Sequence, residues 1–449
     1  MTVKVCDALC GAGKTSAAIR MMNERAEDRF IFVTQYLSET TRIRNCCPER
    51  KFISPQSNAE NGQTKLSDVR KLLKEGRNIA TTHALFSIYT EEIKELVANQ
   101  RYILVLDEAI DIFTPSDIEE NDLDILRKSD SIREENGFVE WTNSEYQSCE
   151  GGRFREEMLK AKSKNLLKYD DSFFFWSIPP ELFGCFREAY VLTYMFEAQI
   201  IRCFFDMYNI SYELIGTHKA ERGYEFCPIG QMDRRRELRD KVHILEHAKL
   251  NQIGTGRTAL SFNWYRTSDE EDETKDDSLE RIRKNLSNLF KNIWKVPASR
   301  IMWTTYKAYK DALKGRGYEY SFVAYNKRAS NEYADRTHLA YCVNIFPRPW
   351  ERRFYHERGV TFNSDMYGLS TLIQWMFRSA LRNGEEIWIY IPSERMRNLL
   401  KQWLDNLAEG KDLEPVEYRT PRNYYIPKVK KPKNQKIKDI EFKCWKGNK

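Results

Sequence analysis

The chain has 449 residues, too many for one ordinary hydrophobic core, so its length predicts roughly two to four domains. Hydrophobic residues make up 41% of it, enough for real cores, and the net charge is only +6. Its ten scattered cysteines include no Cys-x-x-Cys pair, and we find neither a signal peptide nor an apolar run of roughly 18 residues. These features argue against a disulfide framework, a zinc site and a membrane span, and they predict a soluble cytoplasmic protein.

The charge is concentrated at the carboxyl end. Residues 419–449 carry eleven Lys and Arg side chains against two acidic ones, a local charge of +9. A basic tail of this kind suits a polyanion such as nucleic acid. A solvated tail that only maintains solubility is an equally good interpretation of the same residues.

The first hundred residues alternate short apolar runs with helical stretches, as parallel βαβ units do. We predict strands at 3–6, 30–33, 78–80, 102–106 and 189–193, and helices at 16–27 and 66–73. Between 113 and 171 the pattern gives way to polar residues, which we interpret as an insertion. A second series of strands is predicted at 211–214, 259–262, 321–324, 338–343 and 386–391, with a closing helix at 393–407. We therefore expect an α/β protein with domains at 1–198 and 199–410 and a tail at 411–449.

A glycine-rich loop follows the first strand and opens the first helix. Gly11 and Gly13 allow backbone N–H groups to turn toward phosphate oxygens, and the following helix adds its positive end. Lys14 can reach the β- and γ-phosphates, and the Thr15 hydroxyl can bind Mg²⁺. The pattern departs from G-x-x-x-x-G-K-[ST] only in having Ala8 at its first position. The predicted ATP-binding residues are Cys10, Gly11, Ala12, Gly13, Lys14, Thr15 and Ser16.

An acidic pair ends the buried strand at 102–106. Asp107 is placed to hold Mg²⁺ together with Thr15, and Glu108 to orient and polarise the attacking water. Four apolar residues before Asp-Glu are a weak signal alone, but about ninety residues after a phosphate loop they indicate nucleotide hydrolysis. Only seven residues precede the loop, and no adenine-reading residue can be identified from the sequence.

The acidic pair continues as Asp107-Glu108-Ala109-Ile110, which resembles the box of the DEAD/DEAH-type helicases of superfamily 2. Two strand ends look like the motifs with which that family contacts a nucleic-acid strand, one after the second strand and one after the third. The resemblance implies that hydroxyl and N–H groups there meet backbone phosphates. The residues concerned are Thr34, Gln35, Thr81, Thr82 and His83.

The segment from Gln374 to Arg382 looks like motif VI of the same family, whose arginines face the nucleotide from a second RecA-like domain. Arg378 and Arg382 are four residues apart, whereas the family spaces them by three. We predict a helix over 369–382, on which residues four apart share a face. Either arginine could then stabilise charge on the γ-phosphate, which needs a cation from outside the loop domain.

The resemblance implies two RecA-like P-loop domains with parallel central sheets and an ATP-dependent helicase or translocase that uses Mg²⁺. The compact length and the form of motif VI are similar to replicative helicases of bacteriophages. This implies DNA replication in the host cytoplasm, single-stranded DNA favoured over RNA, and replication proteins as partners. Two alternatives stay open: a terminase-like packaging or remodelling ATPase, and a nucleotide-gated nucleic-acid-binding protein without unwinding activity.

Overall fold

A computed structural model describes residues 2–58, 62–108, 110, 112–116, 118–135, 138–145, 152–163, 165–169, 174–232, 235–268, 278–327 and 332–411. Its α-helices are α1 (Lys14–Glu24), α2 (Leu37–Cys46), α3 (Lys65–Lys74), α4 (His83–Phe86), α5 (Glu91–Asn99), α6 (Glu120–Lys128), α7 (Arg155–Lys162), α8 (Glu181–Gly184), α9 (Ile200–Met207), α10 (Leu238–Lys241), α11 (Ala248–Asn251), α12 (Phe262–Ser268), α13 (Ser278–Asn288), α14 (Lys310–Leu313), α15 (Pro349–His356), α16 (Ser364–Met376) and α17 (Glu394–Glu409). Its strands are β1 (Val3–Asp7), β2 (Phe30–Thr34), β3 (Ile79–Thr82), β4 (Ile103–Asp107), β5 (Phe113–Pro115), β6 (Ile132–Glu135), β7 (Phe138–Trp141), β8 (Leu166–Lys168), β9 (Phe174–Ser177), β10 (Glu188–Thr193), β11 (Tyr212–Ala220), β12 (Gly223–Pro228), β13 (Val242–Ile244), β14 (Ile301–Thr304), β15 (His338–Tyr341) and β16 (Ile387–Tyr390). The basic tail predicted at 411–449 lies outside the described residues except for Lys411.

The chain forms two compact units, the first comprising Met1–Asp233 with Pro349–Phe362 and the second Arg234–Arg348 with Asn363–Lys449. The expected boundary at 198/199 falls earlier than this division. Of the strand predicted at 211–214, residues 212–214 belong to β11, which pairs in parallel with β1, so they extend the first sheet and do not begin a second one. A strand at the edge of a sheet carries no local mark of the sheet it joins, which is why the pattern alone misplaced it.

The central sheet of the first unit has the order β12-β11-β1-β10-β4-β2-β3. Its strands pair in parallel except for β12, which runs antiparallel to β11. Every residue of β2 and β4 is buried, because a parallel sheet is covered on both faces, and this explains their unbroken apolar runs. The order places one strand, β10, between the strand that leads into the glycine-rich loop and the strand that ends in Asp107.

The expected insertion forms a separate antiparallel sheet in the order β5-β9-β8-β7-β6, and it extends to Ser177. It has a small core of its own that includes Leu123, Leu126 and Leu166. The distant segment Pro349–Phe362 packs here through Phe354, whose ring lies 5.2 Å from that of Phe113. Burial of these aromatic rings stabilises the return of the chain to the first unit.

The second unit is built on a parallel sheet in the order β13-β16-β15-β14. The strands predicted at 338–343 and 386–391 are confirmed. The prediction at 259–262 is wrong, since these residues form a turn that leads into α12, and Phe322 makes only a single bridge to Trp303. Short apolar runs do not distinguish strands from buried turns. With parallel central sheets in both units, the predicted α/β fold of RecA-like type is confirmed.

Within the part of the chain that the structure describes, no helix is both long and apolar enough to cross a bilayer.

Candidate nucleotide-binding site

The glycine-rich loop connects β1 to α1. Gly11 and Gly13 both have φ of 81°, the left-handed conformation that glycine adopts without a steric cost. Gly13 is the N-cap of α1, so the free N–H groups of the first helical turn point toward the loop. The N–H of Ala12 donates to the Leu9 oxygen at 3.0 Å, which closes the loop on itself. The backbone therefore has the form of an anion-binding concavity. Cys10 and Ser16 flank it and are half-buried.

The Lys14 ammonium lies inside the loop. Its Nζ donates to the carbonyl oxygens of Ala8 at 2.6 Å and Leu9 at 3.1 Å. A positive charge is thus held over the N-terminus of α1, where two sources of positive potential coincide. This arrangement suits a polyphosphate.

Thr15 and Asp107 meet across the sheet although 92 residues separate them. The Thr15 hydroxyl donates to Oδ1 of Asp107 at 3.1 Å. Burial and, to a lesser extent, the neighbouring Glu108 charge raise the pKa of the Asp107 carboxyl to about 7, although the hydrogen bond from Thr15 acts in the opposite direction. A divalent cation beside this carboxylate would favour its charged form and offset the cost of burial. A hydroxyl and a carboxylate are the hard oxygen donors that Mg²⁺ prefers, so these residues fit that cofactor.

Glu108 follows the strand in an unusual conformation. Its φ is 64°, in the left-handed region that costs a residue with a side chain about 1–2 kcal/mol. Its N–H donates to the oxygen of Leu192 in β10 at 3.0 Å, which holds this conformation. The Glu108 side chain is half-buried and therefore partly open to solvent. Strain of this kind persists where surrounding structure fixes it, often at functional sites.

The predicted nucleic-acid contacts lie at the carboxyl ends of β2 and β3, but the side chains of three of them are buried. Thr34 is 3% exposed and Thr81 is 2% exposed. The His83 ring is buried as well, and its Nε2 lies 3.1 Å from the main-chain oxygen of Asp107. These side chains therefore present little surface to a nucleic-acid strand, and the predicted contacts at these three residues stay predictions. His83 instead connects the end of β3 to the acidic strand, while Gln35 and Thr82 are half-buried and stay predictions.

The motif VI segment differs from the predicted helix. α16 ends at Met376, with Gln374 half-buried in its last turn. Arg378 is buried in the turn that follows, whereas Arg382 is exposed in a short 3-10 helix at Ala380–Asn383. The two arginines therefore do not share a helix face. The Ser379 hydroxyl accepts from the N–H of Leu381 and caps this second turn, a signal that was present in the sequence.

Two further residues contact the loop from the β11–β12 hairpin. The Thr217 hydroxyl donates to the carbonyl oxygen of Ala12 at 2.7 Å, and Thr217 is 1% exposed. The Tyr224 ring lies against Gly13, on the side where any other residue would carry its Cβ. No local sequence pattern pointed to either residue, because the contact spans about two hundred positions along the chain.

The architecture is that of an α/β protein of the P-loop type. It combines a parallel sheet, a glycine-rich loop after β1 and an acidic pair at the end of β4, two strands from β1. The chain belongs to the YonV family: it is 39% identical over 413 residues to the SPbeta prophage-derived uncharacterized protein YonV of Bacillus subtilis (strain 168), with 90% of this chain and 99% of that protein covered. The YonV middle domain matches residues 114–176, and the YonV C-terminal Rossmann-like domain matches residues 236–404.

These matches agree with the architecture, since the first covers the antiparallel insertion and the second covers the parallel sheet of the second unit. The chain is also similar to the solved structure of S. tokodaii Xpd4, with a TM-score of 0.46 and 10% identity over 92% of this chain and 95% of that one. A similarity at that level is too low to carry an argument about function.

Proposed function

We propose that this protein is an ATP-dependent nucleic-acid helicase or translocase that hydrolyses ATP with Mg²⁺. The observation that carries the proposal is the bond between Thr15 and Asp107, which joins the phosphate loop to the acidic strand at 3.1 Å. A loop without a partnered carboxylate would suit phosphate binding alone. With the carboxylate beside it, the site has the groups that hydrolysis requires.

Each residue has a definite role in this proposal. Lys14 and the N–H groups of the loop bind the β- and γ-phosphates, and Thr15 with Asp107 hold the cation. Bound Mg²⁺ would neutralise charge that develops on the phosphate oxygens. Glu108 accepts a proton from the attacking water as that water bonds to the γ-phosphorus and the bond to the β-phosphate oxygen breaks. The products are ADP and phosphate.

We propose that the second unit supplies a cation for the transferred phosphoryl group. Charge on the transferred phosphoryl group needs a cation from outside the loop, and Arg378 or Arg382 fills that role in our proposal, with Gln374 beside them. In our proposal the two units, each of which contains a parallel sheet, are the parts that couple ATP hydrolysis to movement. Movement along the nucleic-acid strand then follows from repeated binding and hydrolysis of ATP.

We further propose that the substrate is nucleic acid, with single-stranded DNA preferred over RNA. The basic residues at 419–449 support a polyanionic partner. The relative from Bacillus subtilis is prophage-derived, which supports a role in phage-type DNA replication together with replication proteins, in the host cytoplasm.

The test is ATP hydrolysis by the full chain, measured with single-stranded DNA, duplex DNA and RNA as separate stimulants. Strand displacement on forked and tailed duplexes is measured in parallel. Lys14→Ala is the test variant, and Lys71→Ala, which removes an exposed lysine of α3 in the same unit, is the matched control. Lys14→Ala should lose hydrolysis, because its ammonium can no longer bind the phosphates, while Lys71→Ala should keep it.

The outcomes separate the candidate functions. DNA-stimulated hydrolysis with strand displacement supports a helicase. Stimulated hydrolysis without displacement favours a translocase or a nucleotide-gated binding protein. Hydrolysis that persists in Lys14→Ala would place the active site elsewhere in the chain.

A further inference from the structure

The residues assigned above to the nucleotide site bind the phosphates and the cation, and the contact for the base is still to be assigned. Thr15 and Asp107 mark where the γ-phosphate and the cation belong, and Asp107 lies on the β4 side of β1. On the other side of β1 lie β11 and then β12. A nucleoside triphosphate that extends along the loop away from β4 would place its base toward the β11–β12 hairpin.

That hairpin is attached firmly to the loop. The Thr217 hydroxyl bonds to the carbonyl oxygen of Ala12 at 2.7 Å. Glu225 forms an ion pair with Arg20 of α1 at 3.0 Å, so the edge strand is also held to the helix that the loop opens. The hairpin therefore keeps a defined position relative to the phosphate-binding groups.

Tyr224 is the aromatic residue that this hairpin places on the loop. A Cβ built on Gly13 would lie closer than 3.0 Å to three atoms of the Tyr224 ring, so the ring lies directly over the glycine that precedes Lys14. Tyr224 is half-buried, which leaves part of the ring accessible from solvent. An aromatic ring that is fixed by its contact with the loop and still partly open is a suitable stacking surface for a nucleobase.

A cation lies on the same face of the hairpin. Lys219 is directly opposite Tyr224 in the antiparallel pairing, and directly opposed residues project from the same face. Lys219 is exposed, so its ammonium is available to an anionic ligand. An aromatic ring and a lysine next to a phosphate loop together match the base and the α-phosphate of a nucleotide.

We propose that Tyr224 is the base-contacting residue of this site, with Lys219 beside it as a contact for the α-phosphate. This inference rests on the proposed function, because it requires that the loop binds a nucleotide. Stacking on a tyrosine favours any purine, so Tyr224 contributes affinity for the base and does not by itself select adenine.

The experiment compares two ligands in the full chain with Mg²⁺: ATP, which has a base, and inorganic tripolyphosphate, which has none. The variants are Tyr224→Ala, which removes the ring, and Tyr224→Phe, which keeps it. Tyr224→Ala should weaken ATP binding about tenfold, the magnitude expected for a lost base–aromatic stack. Its affinity for tripolyphosphate should be unchanged, and Tyr224→Phe should bind both ligands as the unmodified chain does.

Two results would overturn the assignment: ATP binding by Tyr224→Ala that equals that of the unmodified chain, or equal losses for ATP and tripolyphosphate. The second would mean that the ring only supports the loop. An unmodified chain that binds neither ligand would refute the proposed nucleotide site itself. Binding of tripolyphosphate without ATP by that chain would refute the base site while keeping the phosphate loop.

Discussion

Replacing Gly13 by alanine tests the contact between the phosphate loop and the β11–β12 hairpin. Gly13 has φ of 81°, and the added Cβ would lie closer than 3.0 Å to three atoms of the Tyr224 ring. Ordinary carbon–carbon contacts are about 3.5–4.0 Å. The substitution therefore combines a strained backbone conformation with a steric overlap.

The two costs can be separated. An alanine in the left-handed region costs about 1–2 kcal/mol relative to glycine. Overpacking against a fixed ring adds about 1–3 kcal/mol. Gly13→Ala should then lower the free energy of unfolding of the first unit by about 2–5 kcal/mol.

Gly359 provides the matched control, because it has φ of 74° in the same unit and a Cβ added there meets no atom within 4 Å. Gly359→Ala should carry only the backbone cost. The assay is urea unfolding of each variant. Because a chain of two units need not unfold in one step, the midpoints of the two variants are compared with each other. Gly13→Ala should have the lower midpoint.

A double-mutant cycle identifies the ring as the cause. In the Tyr224→Ala background the overlap is gone, so Gly13→Ala should cost less there than in the unmodified chain. Equal costs in the two backgrounds would refute the reasoning. So would a midpoint for Gly13→Ala that is no lower than that of Gly359→Ala.

Two further predictions concern the acidic strand and the second unit. Glu108→Gln should leave ATP bound but slow its hydrolysis about 10²- to 10⁴-fold in a single-turnover assay, because the amide cannot accept the proton from water. An unchanged rate would mean that another residue is the general base. Asp365→Ala should destabilise the second unit by about 3–5 kcal/mol, since it leaves the Arg395 guanidinium buried without the carboxylate at 2.6 Å. The control is Asp405→Ala, which removes the exposed partner of Arg239 and should lower the free energy of unfolding by less than about 1 kcal/mol. Equal unfolding midpoints for the two variants would contradict the expected effect of burial.

The sequence predicted those parts of the molecule that local physics specifies. Gly11 and Gly13 indicated a loop whose backbone N–H groups turn toward phosphate oxygens, because glycine has no side chain in the way. The unbroken apolar run of β4 indicated burial on both faces. The acidic pair that follows the run indicated the metal and water chemistry. Each of these signals lies within a few neighbouring residues, so no knowledge of distant parts of the chain was needed.

Other features differed from the expectation because the spacing of residues along the chain was a poor guide to their setting. Arg378 and Arg382 had the spacing of a shared helix face, but α16 ends at Met376 and the Ser379 hydroxyl begins a new turn. His83 follows β3 in a segment that resembles a strand-contacting motif, but its ring is buried against the main chain of Asp107. In both cases packing and capping overrode an expectation based on spacing alone.

By itself, then, the sequence determined the phosphate loop, the acidic pair and the α/β order, since glycine conformations and apolar periodicity act over short stretches of chain. Only the tertiary structure decided what surrounds the loop. Tyr224 and Thr217 contact it from β12 and β11, the two strands on one side of β1, although they lie about two hundred residues further along the chain. The segment Pro349–Phe362 rejoins the first unit after most of the second. The physical reason is that strand pairing and burial of aromatic rings bring together residues at any separation along the chain, and neither leaves a local sequence signal at both ends of the contact.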